Sequence, residues 1–155
     1  WRSLVGSEMC IRDRDTPHKS GKLIPLIAID NLKVGETKGS EIELVDDDNV
    51  IKDSGIETTR LDLIICHQGD AIRVFKNPCP HIGLPLETFQ DRFLTADKKH
   101  LICSAHAATF NLDGMCIAGP CPGKSLTEYK TMRLDGCLML GLTYHYESDK
   151  ALIAL

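Results

Sequence analysis

The chain has 155 residues, 43% of them hydrophobic, and 18 Lys and Arg against 22 Asp and Glu give a formal charge of −4. That length suits one domain with a real core, and a pI near 5.8 leaves no basic face for nucleic acid or an anionic membrane. The longest apolar run, Leu23 to Ile29, is interrupted by Pro25 and falls far short of the roughly 18 residues that span a membrane. The first residues lack the basic start, apolar stretch and small-residue cleavage site of a secretory signal, so the cytoplasm is the expected location.

Residues 1–14 stand apart. Leu4-Val5-Gly6-Ser7-Glu8-Met9-Cys10-Ile11-Arg12-Asp13 resembles an in-frame translation of a transposase adapter used to prepare sequencing libraries. Such segments are kept out of fold reasoning, and this one is expected to be disordered. From there the chain reads as one domain over 22–146 with a tail at 147–155. Strands are expected at 23–29, 41–45, 60–66, 71–76, 100–103, 109–112, 115–118, 127–134 and 137–144. Lys33 to Ser40, with Gly35 and Gly39, reads as a surface loop, and Asp46-Asp47-Asp48 as a solvated turn. Gln68-Gly69-Asp70, Asp113-Gly114 and Asp135-Gly136 are turn signals, and Asp-Gly between apolar runs is a strong hairpin cue. Regular short strands without an amphipathic helix predict an all-β sandwich or barrel.

Chemistry concentrates in two short pairs, Cys79-Pro80-His81 and Cys103-Ser104-Ala105-His106, each beside turn-forming Gly or Pro. Two thiolates and two imidazoles suit tetrahedral zinc. Zinc sites, however, commonly bring two Cys as one close pair and two His as another, whereas each pair here is mixed. The mixture also suits a two-iron cluster, with Cys79 and Cys103 on one iron and His81 and His106 on the other. Apart from Cys10, the remaining cysteines are Cys66, Cys116, Cys121 and Cys137, expected as thiols in a cytoplasmic protein. Cys66 and Cys137 lie in apolar runs that suit a core, and a Cys116–Cys121 bridge is left open. His18, His67, His100 and His145 have no metal-like partner pattern, and Ser104 and Ser125 have no nucleophile context.

Three segments, in order, carry a resemblance. The stretch from Asn77 to Leu86, with Cys79-Pro80-His81-Ile82-Gly83, resembles the first cluster loop of Rieske ferredoxins. The stretch from Cys103 to Gly114 resembles the second. Gly119-Pro120-Cys121-Pro122-Gly123 with Leu126 resembles the proline-containing loop that covers the cluster. The similarity extends over about residues 23 to 146. It implies an antiparallel β-sandwich or barrel base with a small cluster-binding subdomain inserted at about 77–123. It also implies one [2Fe-2S] cluster per chain, held by Cys79, His81, Cys103 and His106. Gly83, Leu84, Ala108, Phe110, Gly119, Pro120 and Cys121 would surround the cluster.

Two departures are visible. The 21 residues between His81 and Cys103 exceed the usual family spacing, with Asp91 to His100 resembling an inserted hairpin. The residue after the second histidine, often Gly in the family, is Ala107, which tolerates fewer backbone angles. High-potential members carry an additional cysteine in each loop and Ser and Tyr hydroxyls near the sulfurs. Here those positions are Leu84, Ala105, Ala108 and Phe110, so a low potential is expected.

The function implied is one-electron transfer from a flavin-containing reductase to a terminal oxygenase or other acceptor, without catalysis by the chain alone. Alternatives are the Rieske domain of a larger oxygenase, the small subunit of a larger reductase and, more remotely, a zinc module. A ring-hydroxylating oxygenase also needs a mononuclear iron on two His and a carboxylate, and after Gly123 the only histidine is His145.

Overall fold

The computed structural model describes residues 18–19, 23–45, 58–144 and 152–154. The expectation of disorder over 1–14, the Asp46–Asp48 turn and His145 lie outside the described residues. Among the described residues there are twelve strands: β1 His18–Lys19, β2 Leu23–Ala28, β3 Thr37–Val45, β4 Thr58–Gln68, β5 Ala71–Lys76, β6 Leu101–Ile102, β7 Thr109–Phe110, β8 Cys116–Ala118, β9 Glu128–Tyr129, β10 Thr131–Leu134, β11 Cys137–Tyr144 and β12 Leu152–Ala154. The only helical segment among the described residues is a short 3-10 turn, Ile29–Asn31. The all-β expectation is met.

The chain divides into two compact units. In the first, β11 is the central strand. It pairs antiparallel with β10 from Thr131↔Leu140 to Leu134↔Cys137, with β12, and with β2. The Asp135-Gly136 turn joins β10 to β11 with both residues at positive φ, 48° and 77°, as a two-residue type I′ hairpin loop requires. Pro25 pairs with Met139 at the register shift in the β2 ladder. A bulge is one of the few places where a sheet tolerates the lost N–H of proline. Five of the six β2 residues are nevertheless buried, which is why its apolar run is nearly continuous.

The second unit, Leu32–Ser40 with Asp62–Glu128, holds both cysteine–histidine pairs. β4 and β5 form an antiparallel hairpin from Leu63↔Lys76 to Gln68↔Ala71, and β6, β7 and β8 form a small sheet in that order. Its core gathers Ile64, Phe75, Leu86, Phe93, Leu101 and Phe110 with Cys66, Cys79, Cys103, Cys116 and Cys121. The rings of Phe75, Phe93 and Phe110 are completely buried, each stabilising the fold by about 1.5–3 kcal/mol.

Three segments differ from expectation. β3 begins at Thr37 rather than Glu41, because Asp91 takes up part of the expected loop: Gly39 N donates to Asp91 Oδ1 at 2.7 Å, and Thr37 Oγ1 to Asp91 O at 3.1 Å. The expected strand at 127–134 is split into β9 and β10 around Lys130. Cys137 is disulfide-bonded, which corrects the expectation of a thiol there; Cys66, Cys116 and Cys121 are free. The Asp91–His100 segment does form a hairpin, through Thr95 N to His100 O at 2.9 Å, the Leu94↔Leu101 bridge and Ile102 N to Phe93 O at 2.8 Å.

Candidate metal centre

The two cysteine–histidine loops are built alike. In the first, Cys79 N donates to Leu84 O at 2.7 Å and Gly83 N donates to Cys79 O at 2.8 Å. In the second, Cys103 N donates to Ala108 O at 2.8 Å and Ala107 N donates to Cys103 O at 3.0 Å. The flanking pairs correspond as well, Pro78↔Pro85 and Ile102↔Thr109. Each loop turns back through a left-handed residue four positions after its cysteine, Gly83 at φ 80° and Ala107 at φ 55°. The C-x-H and C-x-x-H spacings thus conceal one backbone design used twice.

This design sorts the ligand types by depth. Cys79 and Cys103 are each 2% exposed and belong to one buried cluster. His81 is half-buried and His106 exposed, and their ring centroids stand 5.1 Å apart at an interplanar angle of 85°. Burial pushes the Cys79 thiol up, while the backbone N–H of His81 pulls it back down by donating to the sulfur. That donor would stabilise a metal-bound thiolate. Among the described residues no three His, Cys, Asp or Glu side chains close on one ion position. The grouping is pairwise, sulfur with sulfur and imidazole with imidazole, and it fits a two-metal cluster with mixed ligation better than one tetrahedral ion.

Two polar side chains hold the loops together, and neither had a signal in sequence. Asn77, 5% exposed, accepts from Leu86 N at 3.0 Å through Oδ1 and donates to Glu87 Oε1 at 3.0 Å through Nδ2. Ser104 donates from both its N and its Oγ to Leu86 O, each at 2.8 Å. The first loop is thereby clamped to the second through Leu86.

The third segment closes over them. A Cβ on Gly119, at φ 97°, would lie 2.7 Å from Ala108 Cα and 3.0 Å from Ala107 O, so only glycine permits this approach. Lys124 Nζ donates to Pro80 O at 3.2 Å, tying the segment to the first loop as well. Cys121, 1% exposed, stands beside the thiols of Cys79 and Cys116, and burial, with these two sulfurs, pushes its own thiol up to about 12. Ala108 and Phe110 are fully buried and bring no hydroxyl, whereas Leu84 and Pro120 are exposed.

The family model of the Rieske [2Fe-2S] domain matches residues 23–133. The chain belongs to this Rieske family. Its members bind a [2Fe-2S] cluster, the cofactor suggested by the paired donors. The structure is similar to the ferredoxin of carbazole 1,9a-dioxygenase from Nocardioides aromaticivorans IC177, at 16% identity and a TM-score of 0.54, over 77% of this chain and 97% of that one. A chain from the reduced complex between oxygenase and ferredoxin in carbazole 1,9a-dioxygenase matches at 18% identity and a TM-score of 0.56, over 81% of this chain but 30% of that one. These likenesses establish the Rieske fold. No curated protein matches the sequence. No helix among the described residues is long and apolar enough to cross a membrane.

Proposed function

We propose that Cys79, His81, Cys103 and His106 hold a [2Fe-2S] cluster and that the protein is a one-electron carrier between a flavin-containing reductase and a terminal oxygenase. The observation that carries this is the pair of twin loops, which set two sulfurs together in the core and two imidazoles together toward solvent. The bound cluster supplies reversible one-electron redox chemistry. The buried thiolates of Cys79 and Cys103 anchor it from the core side. His81 and His106 hold the outer side, and the exposure of His106 keeps the path to a docked partner short. Each imidazole keeps a second ring nitrogen that can hydrogen-bond to a docked partner. With no hydroxyl at Ala108 or Phe110, few donors reach the sulfurs, which favours the lower part of the family's range of about −150 to +300 mV.

The match over 97% of the length of a ferredoxin supports the carrier. A second possibility, a Rieske domain within a larger oxygenase, draws support from the match to 30% of a longer chain. Low-temperature electron paramagnetic resonance on dithionite-reduced protein, with iron and sulfide quantified, tests the cluster. A rhombic signal with average g below that of all-cysteine ferredoxins, at two irons per chain, is expected. One zinc per chain and no iron would sink the carrier. His106→Cys is expected to shift or abolish the signal; an unchanged spectrum would remove His106 from the ligand set. Reduction by a flavoprotein reductase without any turnover of an aromatic substrate by the chain alone separates the carrier from the oxygenase domain.

A further inference from the structure

We infer that Cys116 and Cys121 form a reversible dithiol–disulfide site, oxidised by hydrogen peroxide, whose state decides whether a thiol proton stands beside the sulfur of Cys79. The inference rests on the proposed role of Cys79 as a ligand. The two sulfurs are free thiols 3.1 Å apart, about 1 Å beyond a disulfide bond. Their approach is fixed by backbone. Cys116 N donates to Lys124 O at 2.9 Å, Lys124 N to Cys121 O at 3.2 Å, and Met115 bridges Ser125. Cys121 is further confined between Pro120 and Pro122. On its other side its thiol reaches Cys79, so one S–H stands between a potential disulfide partner and a cluster ligand.

The chemistry balances with peroxide as the oxidant. The Cys121 thiol donates to the Cys116 sulfur at 3.1 Å, and the Cys116 thiol donates to Ala118 O at 3.3 Å. Cys116, 6% exposed, lies nearer solvent than Cys121 at 1%, and the neighbouring Ile117 to Pro120 are exposed. Cys116 gives up its proton and its sulfur attacks one peroxide oxygen: an S–O bond forms, the O–O bond breaks, and the hydroxide that leaves takes up that proton as water. The Cys121 sulfur then attacks the sulfenic sulfur. The S–S bond forms, the S–O bond breaks, and water leaves with the Cys121 proton. Two thiols lose two electrons and peroxide becomes two waters. A small dithiol reverses the step by exchange. In the disulfide the Cys121 proton is gone, so the S–H dipole beside the Cys79 sulfur is lost and the reduced cluster is less stabilised.

The test uses holoprotein treated with equimolar hydrogen peroxide, then split into two samples. One is alkylated with iodoacetamide and cleaved before Asp113 and Asp135, which isolates fragment 113–134 with only these two cysteines. The other is titrated for midpoint potential, with iron content checked. After peroxide the fragment is expected to carry no alkyl group and the potential to be lower; dithiothreitol restores two alkyl groups and the original potential. Cys116→Ala should keep the reduced protein's potential through peroxide treatment, and Cys121→Ala should show the lowered potential throughout. Two alkyl groups after peroxide, or a disulfide with no fall in potential, would overturn the inference. Protein purified without iron would instead refute the cluster, and the alkylation pattern would still decide whether the dithiol closes.

Discussion

Ala107 and Gly119 show how single backbone angles set the cluster-binding loops. The first loop turns at a glycine, Gly83, while its twin turns at Ala107 with φ 55°. A left-handed conformation costs an L-residue about 1–2 kcal/mol, and glycine would return about 0.5–1 kcal/mol of that as added entropy loss on folding. Ala107→Gly is therefore expected to stabilise the protein by about 0.5–1 kcal/mol, read as a rise in melting temperature of roughly 1–4 °C. A fall in melting temperature would mean that the Ala107 Cβ makes a contact worth more than the strain. Gly119→Ala has the opposite sign. Its Cβ would meet the Ala108 backbone at 2.7 Å, and neither backbone yields easily. A loss of about 3 kcal/mol, or displacement of the covering segment, is expected. Ala107 was visible in the sequence as a departure from glycine, but its strain was not, because that depends on the hydrogen bonds of Cys103.

At the scale of elements, the strands and hairpin turns were legible because their signals are local. The apolar runs of β2, β4 and β5 and the Asp-Gly turn before β11 specify themselves within a few residues. The four proposed ligands were legible as types and spacing. What was not legible depends on distant partners: the clamp of Asn77 and Ser104 on Leu86, and the early start of β3. The latter is recruited by Asp91, which is 52 residues away from Gly39. Asp91 also pairs with Lys38 at 3.7 Å and sits at φ 62°, an angle that Asp and Asn tolerate better than most residues. Asp91→Ala is expected to cost about 1–2 kcal/mol and to raise amide exchange at Leu94 to Ile102. Asp91→Asn keeps an acceptor for Gly39 N and should recover most of the loss. Equal destabilisation by both variants would assign the anchoring to charge rather than to the hydrogen bond.

At the scale of the whole molecule, the stability profile on the alkaline side follows from buried acids, two of which, Cys66 and Tyr129, lie away from the cysteine–histidine loops. Burial pushes the Cys66 thiol above its ordinary 9.0, with smaller opposing effects from Gln68 and Arg73. Burial likewise pushes the Tyr129 hydroxyl above 10.0. Both groups are neutral when protonated, so the folded chain holds these protons more tightly than the unfolded chain. Their contribution is fully present below the unfolded values and is lost as pH rises past about 9, then past about 10, toward the folded values. The second compact unit contains Cys66 and the first contains Tyr129, so both units carry an alkaline weakness. Denaturation midpoints should therefore show no effect of these two groups from pH 7 to 8.5 and then fall in two stages. Cys66→Ala should make the first stage shallower, with the buried Cys121 thiol still contributing to it, and leave the second. A profile of Cys66→Ala that still falls between pH 9 and 10 as steeply as the parent would show that another group sets the alkaline limit.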